Sequence, residues 1–180
     1  MPAFTDHTLE SAPPAARRSV AATTKHLGYL PAPVARMAAV PQLLDGFLKL
    51  SAAFETTTLD PIAREVVIMT IATRNECHVC VAMHTARLTA LDAGADLIAA
   101  LRGGKPLADD RLEAVRVFTL DVIASAGGVG DESWQAFLAQ GYTSQNALEV
   151  VLGIGTYTMS TLANRMTDAP LDQQLQPFAW

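Results

Sequence analysis

Two cysteines in 180 residues are too few for a disulfide framework. Cys77 and Cys80 are so close in sequence that bridging them would constrain almost none of the unfolded chain, so a structural staple does not explain the pair. Charge is also sparse, at 17% of residues. Thirteen basic against eighteen acidic side chains leave a net charge of -5, with no basic run to neutralise phosphates, which argues against nucleic acid as a partner. No apolar run approaches the ~20 residues of a bilayer span, and stretches such as Val150 to Ala163 are interrupted by Gly, Thr and Ser. Met1 to Ser11 contains Asp6 and Glu10 and lacks the apolar centre of a secretory signal, so a cytoplasmic enzyme is the expectation. Half of the residues are hydrophobic. That is too apolar for disorder and points to one packed domain with further surface buried between identical subunits.

The apolar residues that are present recur at helical spacing. Residues 1–24 read as an N-terminal arm without clear periodicity, carrying Pro13 and Pro14. From Pro31 to Phe54 the pattern predicts two short helices separated at Pro41. Asp60-Pro61 is a helix start, with Asp60 as N-cap and Pro61 in the first turn. That helix runs to Thr73 and is broken by Arg74-Asn75-Glu76. A further helix begins near Cys77 and continues through His84 and Leu88, with Gly94 in the position of a C-terminal glycine. Helices over Asp96–Leu101, Asp109–Ser125, Asp131–Ala139 and Ser144 to about Met166 follow, punctuated by Gly103-Gly104, Gly127-Gly128 and Gly141. No stretch alternates with period two, although Glu65 to Thr73 is rich in β-branched residues. The fold class is therefore all-α, with a domain over 25–166 and a tail over 167–180. Leu59, Glu65 and Val67 are echoed by Leu107, Glu113 and Val115 at a constant offset of 48, which suggests a duplicated helical unit.

On a helix, Cys77, Cys80 and His84 fall within roughly 60° of one another, so the three share one face. A thiol at a helix N-terminus beside a histidine has its thiolate favoured by free N–H groups and by a nearby imidazolium. A second thiol one turn away can capture a sulfenic acid as a disulfide before over-oxidation. Glu65 lies 12 residues before Cys77 on the preceding helix. From there its carboxylate can hold His84 in one tautomer, directly or through water, and help draw a proton from a thiol. Thioredoxin-type exchange uses the same pair but places it after a strand, in an α/β pattern this chain lacks.

The segment from Glu65 through Cys77, Cys80 and His84, followed by Leu88 and Gly94, resembles the carboxymuconolactone decarboxylase superfamily, and more closely its alkylhydroperoxidase branch, the AhpD-like proteins. The resemblance covers roughly Leu27 to Met166. It implies an all-helical fold assembled as trimers or hexamers, with the site near a subunit interface. It also implies thiol-dependent reduction of a hydroperoxide without a bound cofactor or metal, and regeneration by an external dithiol reductant, lipoyl or thioredoxin-like. By the same resemblance Cys80 is the peroxidatic thiol, Cys77 the resolving thiol, and His84 with Glu65 the proton relay. Helix position alone favours Cys77 as the more acidic thiol, so the two lines of reasoning differ. The characterised alkylhydroperoxidases carry a histidine just before the second cysteine, where this chain has Val79; a simpler relay and weaker peroxidase activity follow. The closing Asn164 to Trp180 segment resembles a tail found in some uncharacterised members, suited to capping a pocket or clasping a neighbour.

Each of these features also has a plainer explanation. Free cysteines are often simply buried, Glu65 has Arg64 and Arg87 as alternative ion-pair partners, and the methionines at 37, 69, 83, 159 and 166 are expected to fill the core. Gly153 and Gly155 lack a preceding strand and are read as permitting close helix packing. Two other functions compete with peroxide reduction. One is lactone decarboxylation, which needs no paired thiol. The other is a non-catalytic redox-sensing or metal-binding role, for which Cys77, Cys80, His84 and Glu65 form an acceptable zinc set.

Overall fold

The computed structural model describes residues 4–180, and among these every regular element is helical. After a 3-10 turn at Pro14–Ala16 come α1 (Arg17–Leu27), α2 (Ala32–Met37), α3 (Pro41–Glu55), α4 (Pro61–Arg74), α5 (His78–Ala90), α6 (Ala95–Arg102), α7 (Asp110–Ala124), α8 (Asp131–Ala139) and α9 (Ser144–Met166), followed by a second 3-10 turn at Gln173–Phe178. The all-α expectation holds, and most boundaries lie within a residue or two of their sequence signals. Asp60 caps α4 by accepting from the Ala63 N–H at 2.8 Å. Asp109 does the same for α7 through the Leu112 N–H, also at 2.8 Å. Both use the Asn/Asp preference for the first unsatisfied donors of a helix.

The β-branched stretch that most resembles a strand is α4, the central helix. Ala63 and the unbroken run from Glu65 to Ala72 are all buried, because α4 is enclosed by α3, α5, α6, α7 and α9. A helix surrounded in this way needs apolar side chains all round rather than on one stripe, which is why its sequence loses helical periodicity.

Three expectations require correction. First, Gly94 does not end α5. It is the N-cap of α6 in extended conformation, and α5 stops four residues earlier, at Ala90, followed by Leu91 and by Asp92 at φ 55°. The Ala93 N–H donates to Leu88 O at 3.0 Å and the Asp92 N–H to Thr89 O at 3.1 Å. This is a Schellman closure, in which an aspartate tolerates the left-handed position usually given to glycine. Second, the segment read as an arm without periodicity contains α1, which runs past residue 24 to Leu27. Ala12, Ala16 and Val20 are buried with Val34, Met37, Ala38 and Leu44 in a small second core; Met1, Pro2 and Ala3 lie outside the described residues. Alanines bury little area per residue, so Ala12 and Ala16 leave only a weak apolar signal in the sequence. Third, Met166 is not core filler: it is 72% exposed.

The tail folds back on its own chain. Arg102, at the end of α6, donates to Phe178 O at 3.0 Å and to Ala179 O at 2.7 Å, while the Trp180 indole N–H donates to Arg102 O at 2.9 Å. Leu175 is buried, and the 3-10 turn that carries it packs on α5.

The two α9 glycines divide in role. Gly155 has open space where a Cβ would be, but a Cβ on Gly153 would lie 2.8 Å from the Phe54 ring and 2.9 Å from Val67 Cγ1. Close packing of α9 on α3 and α4 therefore depends on Gly153. Gly153→Ala is expected to lower stability by about 1–3 kcal/mol despite the better helix propensity of alanine, measured as a fall in the urea midpoint at unchanged slope.

Candidate active site

The cysteine pair sits at a turn built by both flanking helices. Glu76 adopts φ 51°, its N–H donates to Thr73 O at 3.0 Å, and the Cys77 N–H donates to Ala72 O at 2.9 Å, closing α4 in the same Schellman manner. Cys77 is at once the last residue of that closure and the N-cap of α5, with an extended backbone. Its side chain consequently lies over the first free N–H groups of α5, those of Val79 and Cys80, both of which stabilise its thiolate. Cys80 follows one turn along the same helix.

Both thiols are free and nearly enclosed, and their sulfurs are 3.0 Å apart. A disulfide needs a separation of about 2.05 Å, so a small side-chain movement closes it. The hydrogen bond between the sulfurs, followed by the helix N–H groups and Asn164, outweighs burial and lowers the Cys77 pKa to about 7. Cys80 is pushed well above the ordinary thiol value, because its proton is shared with Cys77, it is buried, and a neighbouring thiolate repels a second negative charge. Of the two thiols Cys77 is therefore the one that ionises first, in agreement with the helix-position reasoning.

Asn164, on α9, escaped the sequence reading. Its Nδ2 is 3.3 Å from Cys80 Sγ and 3.9 Å from Cys77 Sγ, and the residue is buried, with an Oδ1 that has no partner. Ser160, one turn earlier on α9, also favours the Cys80 thiolate. Eighty-odd residues separate these groups from the cysteines, and neither belongs to a local motif, so only the packing of α9 on α4 and α5 could reveal them.

The second half of the site is a carboxylate-histidine pair. Glu65 is 1% exposed. Its Oε2 lies 2.7 Å from His84 Nδ1 and its Oε1 2.9 Å from Arg87 Nε. Contact with the carboxylate places the proton of a neutral imidazole on Nδ1 and leaves Nε2 as a base. The plainer reading of Glu65 as an Arg87 partner is thus also correct, whereas Arg64 turns instead to Leu59 O and Glu55. The Tyr157 ring packs edge-on against His84, with centroids 5.5 Å apart.

All four expected residues are buried on α4, at the turn and on α5, but they form two contacts rather than one relay: sulfur to sulfur, and histidine to carboxylate. His84 makes no hydrogen bond to either thiol, so any proton passing between the halves needs a water or a substrate atom. Val79 is fully buried and adds nothing polar to bridge them. The zinc-set reading fails on geometry. Both Glu65 oxygens are engaged by His84 and Arg87, and among the described residues no three potential ligands converge as a metal site.

Residues 38–116 match the carboxymuconolactone decarboxylase family, a span that contains α3 to α6, both cysteines, Glu65 and His84. No curated protein matches the sequence. Among solved structures, the chain is similar to an AhpD-core, peroxidase-related protein from Ralstonia eutropha JMP134, at 18% identity and TM-score 0.83 over 96% of this chain and 93% of that one. A peroxidase-related protein from Silicibacter sp. TM1040 matches at 16% identity and TM-score 0.79, over 97% and 94%. A debrominase solved in complex with 2,3,4-tribromopyrrole matches at 15% identity and TM-score 0.71, over 92% and 89%. The chain thus has the fold of the AhpD-core protein, and its segment 38–116, which holds both cysteines, Glu65 and His84, is similar to the carboxymuconolactone decarboxylase family.

Proposed function

We propose that the protein is a thiol-dependent hydroperoxide reductase working through a Cys77–Cys80 dithiol. The observation that carries this reading is the pair of free sulfurs 3.0 Å apart at a helix start, with one thiol acidified and a buried Glu65–His84 pair one turn further on. Cys80, the position the family resemblance marks as peroxidatic, passes its proton to the Cys77 thiolate and attacks the terminal peroxide oxygen. The O–O bond breaks, Cys80 becomes a sulfenic acid, and the alcohol leaves with a proton. Cys77, again a thiolate, displaces hydroxide from that sulfenic acid, which leaves as water, and the disulfide forms. His84, held in one tautomer by Glu65, supplies a base or acid through a bridging water. Two thiols are oxidised and one hydroperoxide is reduced per turn. An external dithiol, lipoyl or thioredoxin-like, returns the pair to the reduced state in a reducing compartment such as the cytoplasm. The near-complete enclosure of both sulfurs favours small hydroperoxides over bulky ones.

A second reading uses the same two sulfurs. The likeness to a debrominase makes a brominated pyrrole a candidate substrate. A thiolate would take bromine from a ring-protonated tautomer, and the partner thiol would displace bromide to give the disulfide, hydrogen bromide and the dehalogenated ring. Lactone decarboxylation has no use for a paired thiol and is disfavoured.

Three outcomes are expected. Reduced protein treated with a slight excess of hydrogen peroxide should lose both thiols and the mass of two hydrogens, more slowly with the bulkier cumene hydroperoxide, and Cys80→Ser should keep its one remaining thiol and its mass. In Cys77→Ser, dimedone should trap a sulfenic acid on Cys80; trapping on Cys77 in the Cys80→Ser variant would reverse the two roles. If only 2,3,4-tribromopyrrole oxidises the pair, the second reading replaces the first.

Alkylation of the reduced protein by iodoacetamide should rise with pH, with a midpoint near 7 and modification on Cys77, because its thiolate fraction grows as pH passes its lowered pKa. Cys80 should stay unreactive into the alkaline range.

Asn164→Leu keeps the side-chain volume but removes the donor. It should move that midpoint upward and slow peroxide-driven disulfide formation while leaving the helical circular dichroism spectrum unchanged.

A further inference from the structure

The long helix α9 buries one side against the site and exposes another that is also apolar. Leu148 is 73% exposed, Val151 49%, Leu162 53% and Met166 72%. At about 100° per residue these four fall with Gly155 and Met159 inside one stripe along the helix. The stripe lies roughly on the opposite side from Ser160 and Asn164, which face the cysteines. From Leu148 to Met166 the strip is about 27 Å long, and at a helix width of 10–12 Å it amounts to roughly 300 Å² of apolar surface, in the range of the largest patches on soluble proteins, which are often functional.

The pattern of the stripe identifies its occupant. Leu148, Gly155 and Leu162 are spaced by seven, and so are Met159 and Met166, which is the repeat that keeps a seam facing a second helix. The seam is also symmetric about Gly155. Leu148 and Leu162 lie seven residues to either side of it, and Val151 and Met159 lie four to either side. A helix that reads alike in both directions is complementary to an antiparallel copy of itself, and a two-fold contact demands that self-complementarity. At the centre Gly155 has nothing within 4 Å of a would-be Cβ, so two helices can approach closely there. Beside Leu148 and Val151 opens a cavity of about 130 Å³, lined also by Phe118, Val122, Trp134 and Ala147. It is close in size to cavities that admit a benzene-sized apolar group. In an antiparallel crossing centred on Gly155, the partner subunit's Leu162 arrives about 10 Å from the centre, alongside Leu148 and this cavity. A lipid surface is a poorer match, because α9 has a single basic residue, Arg165, and it is bound to Asn75 O and Glu76.

We infer that the exposed face of α9 is an isologous interface between two copies of this chain, crossing antiparallel at Gly155 with Leu162 of each copy seated in the Leu148–Trp134 cavity of the other. The contact closes a dimer, or a hexamer if a three-fold interface is present elsewhere, but by itself it does not build a trimer. It leaves the thiol site on the far side of α9, away from the partner.

The test uses the full chain and does not depend on its catalytic activity. Sedimentation equilibrium at tens of micromolar should give an even-numbered assembly. Leu148→Glu with Leu162→Glu should weaken the two-fold association about 100-fold or more, with the helical circular dichroism spectrum and thiol titration unchanged. Gly155→Cys should cross-link to itself under mild oxidation, identified by peptide mapping. Leu148→Cys and Leu162→Cys should each fail to cross-link alone but do so when the two proteins are mixed. A monomeric wild-type protein, an assembly indifferent to the double substitution, or an assembly in which position 155 does not meet itself would each overturn the interface. All three readouts stand whether or not the protein reduces peroxide.

Discussion

Glu65 is a carboxylate on the one helix enclosed by five others, and much of the molecule is arranged around keeping it there. An isolated charge at that depth would be prohibitive, and a buried acid persists only with partners for its oxygens. Those partners, His84 and Arg87, both come from α5, so the requirement fixes the rotation of α5 against α4. Once that rotation is set, Cys80 lies one turn before His84 on the same face and Cys77 lies at the turn. The geometry of the thiols follows from the need to satisfy a buried acid as much as from the thiols themselves.

The tight turn between these helices adds a second constraint. Only Asn75, Glu76 and Cys77 separate α4 from α5, and Glu76 takes up the left-handed conformation that reverses the chain. The Cys77 backbone N–H is then committed to the end of α4, while its side chain is left over the beginning of α5. One residue thus ends one helix and draws on the free N–H groups of the next, which stabilise a thiolate there. The same closure, with aspartate or alanine at the left-handed position, recurs after α5 at Asp92, after α7 at Ala126 and after α9 at Asp168. Glycine takes the left-handed position after α1, α6 and α8, at Gly28, Gly104 and Gly141, but not after α4, α5, α7 or α9, so glycine alone does not locate the end of α5 and Gly94 instead starts α6.

α9 contributes on two sides. Inward, Gly153 allows it to sit against α3 and α4, and Asn164 then reaches both sulfurs from a helix far away in sequence. Outward, it carries the apolar seam centred on Gly155. Two glycines separated by a single residue look equivalent in the sequence, yet one is filled around by Phe54 and Val67 and the other faces open space. The difference lies entirely in which side of the helix each occupies.

The sequence by itself determined the all-helical class, the order of the helices and nearly all their starts, because Asp60-Pro61, Asp109 and the apolar spacing are local signals that act within one turn. It also determined that Cys77, Cys80 and His84 share a face, since that depends only on helical geometry within α5. Tertiary structure alone decided the rest. It turned both oxygens of Glu65 to partners on α5 and so removed the carboxylate from any metal set. It made Cys77 the thiol that ionises first through the joint effect of a helix end, a second sulfur and burial, and it brought Asn164 to the thiols. It also showed that α1 and the C-terminal tail pack on their own chain. The physical reason is common to these cases: each depends on groups distant in sequence competing for the same buried space, and no periodicity or short motif records the outcome of that competition.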